Sequence, residues 1–255
     1  MPTPIHIALI DRTATIRIDR LKRVAAALQR QLRRDAARFW DMHATISVRR
    51  HGDEVPNGIW PVFIVPELHK GSGFHTDQHG HPFAEVAIGP AWTLSASHEV
   101  LEMAHDPTGN NKHTAQAIQL VNGQVHSAKG KVDYLVEICD PCEGPDHAYR
   151  IDGITVSDFY TPHYFDAAPT AGRQYSFTGA VKQPRQVLKG GYLCWYNPRL
   201  NKMQMLRHLA RDREPRIHTF NIGAPGKQSL REMIDNKVKS MHELATHYRD
   251  HPAFR

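Results

Sequence analysis

The 255-residue sequence has few cysteines and no long apolar run. Its three cysteines are too few for a disulfide framework, and an odd number of thiols is typical of a reducing compartment. No apolar stretch approaches the roughly 18 residues of a membrane-spanning helix. The N-terminus also lacks a basic segment followed by an apolar one, so it does not resemble a secretory signal. These absences predict a cytoplasmic protein that has no membrane partner.

The sequence also has no large excess of positive or of negative charge. The chain has 32 Lys and Arg residues against 26 Asp and Glu residues, and its formal net charge is +6. Much of the positive charge lies in segment 16–41. No basic groove interleaved with aromatic residues accompanies this segment, so it is typical of a solvated helix face. Nucleic acid is therefore not an expected partner, and the oligomeric state is left open.

Hydrophobic periodicity predicts an α+β arrangement in the first hundred residues. Segment 16–41 has apolar residues at steps of three and four, which indicates a long amphipathic helix. The polar, glycine-rich segment 70–81 is predicted to be a loop. A helix bundle is excluded because several apolar runs are typical of strands, namely 5–10, 44–50, 59–65 and 82–89.

The second half of the chain contains turn signals and one further helix. The pairs Asn122-Gly123 and Asp152-Gly153 predict hairpins. Segment 166–190 is rich in turn formers, segment 191–198 is typical of a strand, and segment 226–250 predicts an amphipathic helix. We therefore divide the chain into a domain over 1–165 and a loop-rich extension over 166–255 that packs on the same domain.

The stretch SHEVLE, residues 97–102, begins like the H-E-x-x-H helix of zinc peptidases but has Glu102 where the second histidine is expected. Residues four apart on a helix project to the same side, about 6 Å apart along the axis, so His98 and Glu102 can reach one metal ion. Glu99 faces the neighbouring side. It is therefore a candidate general base for a metal-activated water.

A third ligand must come from outside this pair. His105 lies about 10.5 Å from His98 along the axis, too far for one ion whose ligand bonds are about 2.0–2.2 Å. Asp106, at the helix end, is expected to orient a ligand or to hold the following turn. The best candidate is Glu137 in VEICDPCEG, with Asp140 as the alternative. Zinc is the expected ion, and manganese or iron, which tolerate oxygen-rich ligation, are the alternatives.

Two other patterns near the motif have weaker support. The spacing Cys139-x-x-Cys142 is that of half a thiolate zinc site or of a redox pair, but the sequence has no second C-x-x-C, so we interpret it as incidental. Glu102-x-x-His105 matches the pairs used by carboxylate-bridged di-metal proteins. That alternative requires a second Glu-x-x-His and a four-helix scaffold.

The segments SHEVLEMAHDPTGN and EICDPCEG resemble a family of uncharacterised bacterial and phage-associated proteins. Their shared pattern is a Ser-His-Glu-x-x-Glu-x-x-x-Asp-Pro helix followed by a Glu-Ile/Val-x-Asp segment, and EXORDIUM-like proteins have a similar one. The resemblance covers roughly residues 56–165. It implies a divergent zincin fold, in which the edge strand of a sheet lies above the active-site helix. The site residues it implies are His98, Glu99, Glu102, Asp106, Glu137 and Asp140.

Together these features predict a zincin-like α+β fold with a mixed sheet, a long first helix, a motif-bearing helix and a C-terminal helix. Strand 83–88 is expected at the edge of the sheet. The predicted function is that of a zinc-dependent metallohydrolase, a peptidase whose polypeptide substrate lies along strand 83–89. Two alternatives stay open: a catalytically silent zincin used as a binding module, and the carboxylate-rich di-metal protein.

Overall fold

The computed structural model describes residues 5–69 and 71–221 of the chain. These residues form a mixed α+β structure with two five-stranded sheets, a two-stranded sheet and two α-helices. The predicted helix over 226–250 lies outside the described residues. No helix within them is long and apolar enough to cross a membrane. The α+β class predicted from the sequence is confirmed.

The first sheet is mixed, as predicted. Its strand order is β2-β1-β3-β5-β4; β1, β2, β3 and β5 are parallel, and β4 runs antiparallel to β5. This arrangement brings the carboxyl ends of the parallel strands to one side of the sheet. The strands are β1 (Ile5–Asp11), β2 (Ala44–Arg49), β3 (Ile59–Val65), β4 (Gly73–Gln78) and β5 (His81–Ala87).

The edge strand differs from the sequence prediction. Strand β5 corresponds to the predicted strand 82–89, but it lies between β3 and β4, so the expectation that 83–88 forms the edge is wrong. The edge is β4, within the segment predicted to be a loop. An edge strand buries little of its length and carries polar residues, so its periodic signal is weak. The local signal is the two-residue turn His79-Gly80, where both residues have positive φ, of 54° and 80°.

Two helices pack on the first sheet. The predicted long helix is α1 (Ile18–Arg30), and it continues as a π-helical segment over Gln31–Ala36. The motif helix is α2 (Trp92–His105), which contacts β4 and β5. It ends just before Pro107, which cannot continue a helix. The prediction of a helix over 92–105 is confirmed.

A buried polar chain fixes α2 relative to α1. The hydroxyl of Ser97 donates to the side-chain oxygen of Gln31 at 2.7 Å and accepts from the backbone N–H of Ser157 at 2.8 Å. The amide nitrogen of Gln31 donates to the carbonyl of Ser157, also at 2.8 Å. Because buried polar groups are costly unless they are paired, this closed set of bonds defines the position of Ser97, next to the motif.

The second sheet is antiparallel, in the order β12-β11-β10-β7-β6. The predicted hairpins at Asn122-Gly123 and Asp152-Gly153 are confirmed as the turns of β6–β7 and β8–β9. Strand β10, in the extension over 166–255, pairs with β7, so this part of the extension packs on the first segment. The strands are β6 (Lys112–Val121), β7 (Gln124–Leu135), β8 (Tyr149–Ile151), β9 (Ile154–Val156), β10 (Tyr192–Asn197), β11 (Lys202–Arg207) and β12 (Arg216–Phe220).

Candidate metal centre

Helix α2 presents His98 and Glu102 side by side. The Nε2 atom of His98 lies 3.1 Å from Oε2 of Glu102, as their spacing of four residues predicts. His98 is 7% exposed and Glu102 is fully buried. Both side chains therefore project from the helix into the protein.

The segment after β7 contacts both residues of this pair. The backbone N–H groups of Cys139 and Asp140 donate to Oε1 of Glu102 at 3.0 and 3.2 Å, which holds that carboxylate in one orientation. Oδ1 of Asp140 lies 3.2 Å from Nε2 of His98. Ligands about 2.1 Å from a tetrahedral ion are about 3.4 Å apart. The contacts of His98 with Glu102 and Asp140 have nearly this spacing.

Strand β4 contributes a histidine that the sequence interpretation missed. His75 is 1% exposed, and its Nε2–H donates to the backbone carbonyl of Asp106 at 3.1 Å. Its Nδ1 lies 3.3 Å from Oε2 of Glu99 and 3.8 Å from Oε2 of Glu102. His75 was missed because β4 was interpreted as a loop. The hairpin signal at His79-Gly80 would have placed it on a strand.

The same strand brings its backbone close to Glu99. A Cβ atom at Gly73 would lie 2.8 Å from Oε1 of Glu99 and 2.9 Å from its Cγ, closer than real Cβ contacts. Gly73 therefore leaves the space that the Glu99 side chain occupies, and His75 contacts the other oxygen of the same carboxylate. Two residues of β4 thus define where Glu99 lies.

Replacing Gly73 with Ala is expected to lower the free energy of unfolding by about 1–3 kcal/mol, because the added methyl group collides with a buried side chain. Urea unfolding measures the change. Gly89→Ala is the matched control, since a Cβ there meets no atom within 4 Å, and it should stay within about 0.5 kcal/mol of the wild type. Equal stability of the two variants would show that β4 does not confine Glu99.

Glu137 and Asp140 both enter the site, but they approach different histidines. Oε2 of Glu137 lies 3.9 Å from Nε2 of His75, whereas Asp140 lies against His98. Both residues are buried, with exposures of 3% and 4%. The downstream segment therefore reaches the motif helix as predicted, and the shorter distance to His98 belongs to Asp140.

Two further candidate residues lie at the end of α2. The carboxylate of Asp106 accepts hydrogen bonds from the backbone N–H groups of Asn110 and Asn111, at 3.1 and 2.8 Å, so it holds the turn after the helix. The ring of His105 packs on Trp40, with 4.5 Å between the centroids, and burial lowers the pKa of His105.

The described residues form sheets with two α-helices, which is not the four-helix scaffold that the di-metal alternative requires.

The site concentrates negative charge away from water. Buried charges are paired or bind metals, and even two protonated imidazoles would not balance four ionised carboxylates. Burial opposes a charged imidazole at His98, but Glu102 and the hydrogen bond to Asp140 outweigh it and hold the pKa of His98 well above its usual range. The buried groups are His75, His98, Glu99, Glu102, Glu137 and Asp140.

Cys139 and Tyr160 also border the centre. The sulfur of Cys139 lies within 4.8 Å of the ligand atoms of His98 and Glu102, but burial raises the pKa of this thiol well above its usual range, which favours the neutral form. The backbone N–H of Tyr160 donates to Ile138 at 2.7 Å. Burial raises the pKa of the Tyr160 phenol well above its usual range, and Tyr164 and the nearby carboxylates raise it further, so the phenol stays neutral.

Comparisons with known proteins add no relative. No family model matches the chain, and neither a curated protein nor a solved structure matches it.

Proposed function

We propose that the protein is a zinc-dependent hydrolase, most specifically a peptidase, whose metal ligands are His98, Glu102 and Asp140. The observation that carries this proposal is the contact of one histidine nitrogen, Nε2 of His98, with carboxylate oxygens from two distant segments. Nε2 of His98 lies 3.1 Å from a Glu102 oxygen and 3.2 Å from an Asp140 oxygen. Asp140 replaces Glu137 as the preferred third ligand because it is the carboxylate in contact with His98.

The residues around the ligands suit hydrolysis. A zinc ion held there would act as a Lewis acid and lower the pKa of a bound water. Glu99 follows His98 directly on α2 and is held by Gly73 and His75. Its carboxylate also lies within 4.8 Å of ligand atoms of His75 and Glu102, and we assign it a role outside the ligand set. In this proposal Glu99 would be the group that accepts a proton from that water. The set is rich in oxygen, so manganese or iron remain alternative ions.

The edge of the first sheet supports a polypeptide substrate. Within the described residues β4 pairs only with β5, so its other edge offers backbone groups to an extended chain. His75 and Gly73 place this edge strand beside Glu99. The substrate strand predicted from the sequence is therefore moved from 83–89 to β4. An edge strand next to the motif helix is also what the zincin resemblance implies.

A catalytically silent binding module is the second candidate. It is favoured by the low exposure of the site, since Glu99 is 4% and His98 is 7% exposed, which restricts the entry of a substrate.

A cytoplasmic location belongs to both proposals. The three cysteines are all buried and free, as a reducing compartment would leave them.

The metal content of protein purified without an affinity tag tests the proposed centre. We expect about one zinc ion per chain in the wild type and almost none in His98→Ala, because a catalytic zinc site has only three protein ligands. Elemental analysis after dialysis measures both. His126→Ala, which removes an exposed histidine of β7, is the matched control and should keep its metal. Equal metal content in wild type and His98→Ala would refute the centre.

A further inference from the structure

Strand β4 and helix α2 form a second group of metal-binding side chains beside the proposed centre. His75 on β4 contacts Glu99 on α2, and both lie near Glu102, which the proposed function assigns to the zinc ion. One nitrogen of His75 and one oxygen of each glutamate lie within 4.8 Å of one another. All three residues are at most 4% exposed. The group thus combines imidazole and carboxylate, the ligand types of zinc, away from water.

The two ring nitrogens of His75 have different partners. Nε2 lies 3.1 Å from the backbone carbonyl of Asp106, and because a carbonyl only accepts, this nitrogen carries the proton. Nδ1 therefore keeps its lone pair, and it faces Oε2 of Glu99 at 3.3 Å and Oε2 of Glu102 at 3.8 Å. Histidines that bind metals almost always donate their other N–H to a carbonyl, a carboxylate or water. The bond to Asp106 thus presents Nδ1 of His75 as a ligand atom.

The Glu102 carboxylate can serve two ions. Its Oε1 accepts hydrogen bonds from backbone N–H groups of the segment after β7. Its Oε2 lies 3.1 Å from Nε2 of His98 and 3.8 Å from Nδ1 of His75. An ionised carboxylate has about two lone-pair sites on each oxygen, so Oε2 can bind one ion beside each histidine. Ions about 3.5–4 Å apart are usual in the two-metal sites of enzymes.

The charge of the site also suits a second ion. Its four buried carboxylates are those of Glu99, Glu102, Glu137 and Asp140. When ionised they carry four negative charges, of which one zinc ion balances two. A second divalent ion balances the other two and leaves both imidazoles neutral, as metal binding requires. Because two ions so close together repel each other, the second is expected to bind more weakly than the first.

We propose that His75, Glu99 and Glu102 form a second, weaker site for a divalent metal ion such as zinc, and that an ion bound there prevents Glu99 from acting as the base. This proposal rests on the proposed function, in which Glu102 binds the first ion and Glu99 stays outside the ligand set of that ion. A carboxylate oxygen that binds a metal is a weaker proton acceptor. Excess zinc should therefore inhibit the hydrolase, and dialysis should remove the second ion first.

Isothermal titration calorimetry with zinc chloride tests the second site on metal-free protein. We expect two binding events in the wild type and only the tighter one in His75→Gln. The glutamine amide nitrogen can keep the bond to the Asp106 carbonyl, but no atom replaces Nδ1. The weaker event should therefore lose more than the roughly 10–100-fold that is typical of residues outside a ligand set. Glu99→Gln, which leaves β4 unchanged, should also lose only the weaker event.

His81→Ala is the matched control, because it removes an exposed histidine of the same β4–β5 hairpin, and it should keep both events. A single event in the wild type at excess zinc would overturn the second site and leave the proposed centre intact. Two events that persist in His75→Gln or in Glu99→Gln would also overturn it, since the second ion would then lie elsewhere. If the wild type binds no zinc, the proposed function fails and the second site fails with it.

Peptide cleavage tests the effect of the second ion on Glu99. In the wild type, cleavage should slow over the zinc concentrations that fill the weaker site. In His75→Gln the same inhibition should need more zinc, by the factor that calorimetry gives for the weaker event. Wild-type cleavage that stays constant while the weaker site fills would show that the second ion does not take up the proposed base.

Discussion

Glu99→Gln is expected to lower the rate of polypeptide hydrolysis by at least about 10²-fold and to leave zinc bound, because general base catalysis typically contributes about 10²–10⁴-fold. The amide keeps the shape of the side chain beside Gly73 but cannot accept a proton from water. A cleavage assay on a broad peptide library, run beside a metal assay on the same preparations, measures both quantities.

Glu102→Gln is the matched comparison on the same helix. Glu102 binds the backbone of Cys139 and Asp140 through one oxygen and faces His98 through the other, so its amide should lose metal as well as activity. Metal-dependent cleavage at equal rates by wild type and Glu99→Gln would refute the assigned base. A wild type that holds zinc and cleaves no peptide of the library would instead favour the silent binding module.

The second prediction with a large expected effect concerns zinc affinity, and it distinguishes Asp140 from Glu137, the two carboxylates that follow β7. Asp140→Asn is expected to weaken zinc binding by more than the roughly 10–100-fold that is typical of residues outside the ligand set. Glu137→Gln should stay within that range, because Glu137 contacts His75 at 3.9 Å and not His98. Competition with a chromogenic chelator measures both zinc affinities.

Cys139→Ser extends this comparison to the nearby thiol. Its backbone N–H, which holds Glu102, is kept, and only the sulfur is lost. We expect a zinc affinity close to that of the wild type. A larger loss in Glu137→Gln than in Asp140→Asn would restore Glu137 as the third ligand, and a larger loss in Cys139→Ser would assign the thiol to the metal.

Edge strand β4 bears on these predictions, because two of its residues contact the proposed base. Gly73 and His75 alternate along β4 with Phe74, which lies on the opposite face of the sheet and packs on Phe83 with 6.2 Å between the ring centroids. The face that carries Gly73 and His75 is turned towards α2. One short strand thus confines Glu99 and, within the described residues, pairs with β5 alone among the strands.

The chemistry of α2 could be predicted from local spacing. A helix repeats every 3.6 residues, so the relation of His98, Glu99 and Glu102 does not depend on the rest of the fold. The hairpin turns at Asn122-Gly123 and Asp152-Gly153 are equally local, because only a few residue types accept positive φ at both turn positions. These features required no knowledge of the chain path.

The residues that contact α2 from other segments could not be predicted from local spacing, because those contacts depend on the tertiary fold. Glu137 and Asp140 lie three residues apart in a short irregular segment, and this segment is held against α2 by the backbone N–H groups of Cys139 and Asp140 that bind Glu102. Periodicity cannot order two carboxylates in such a segment. Burial and strand pairing decided which of them meets His98.

The position of His75 in the site could not be predicted from the sequence either. In the sequence it is one histidine among 18, within a polar, glycine-rich stretch whose side chains indicate a loop. Pairing with β5 turns that stretch into the edge of the first sheet and buries His75 against Glu99. Local propensity determined the motif helix. Only the tertiary structure determined the contact between His75 and Glu99, because nothing in the sequence around either residue indicates that the two side chains meet.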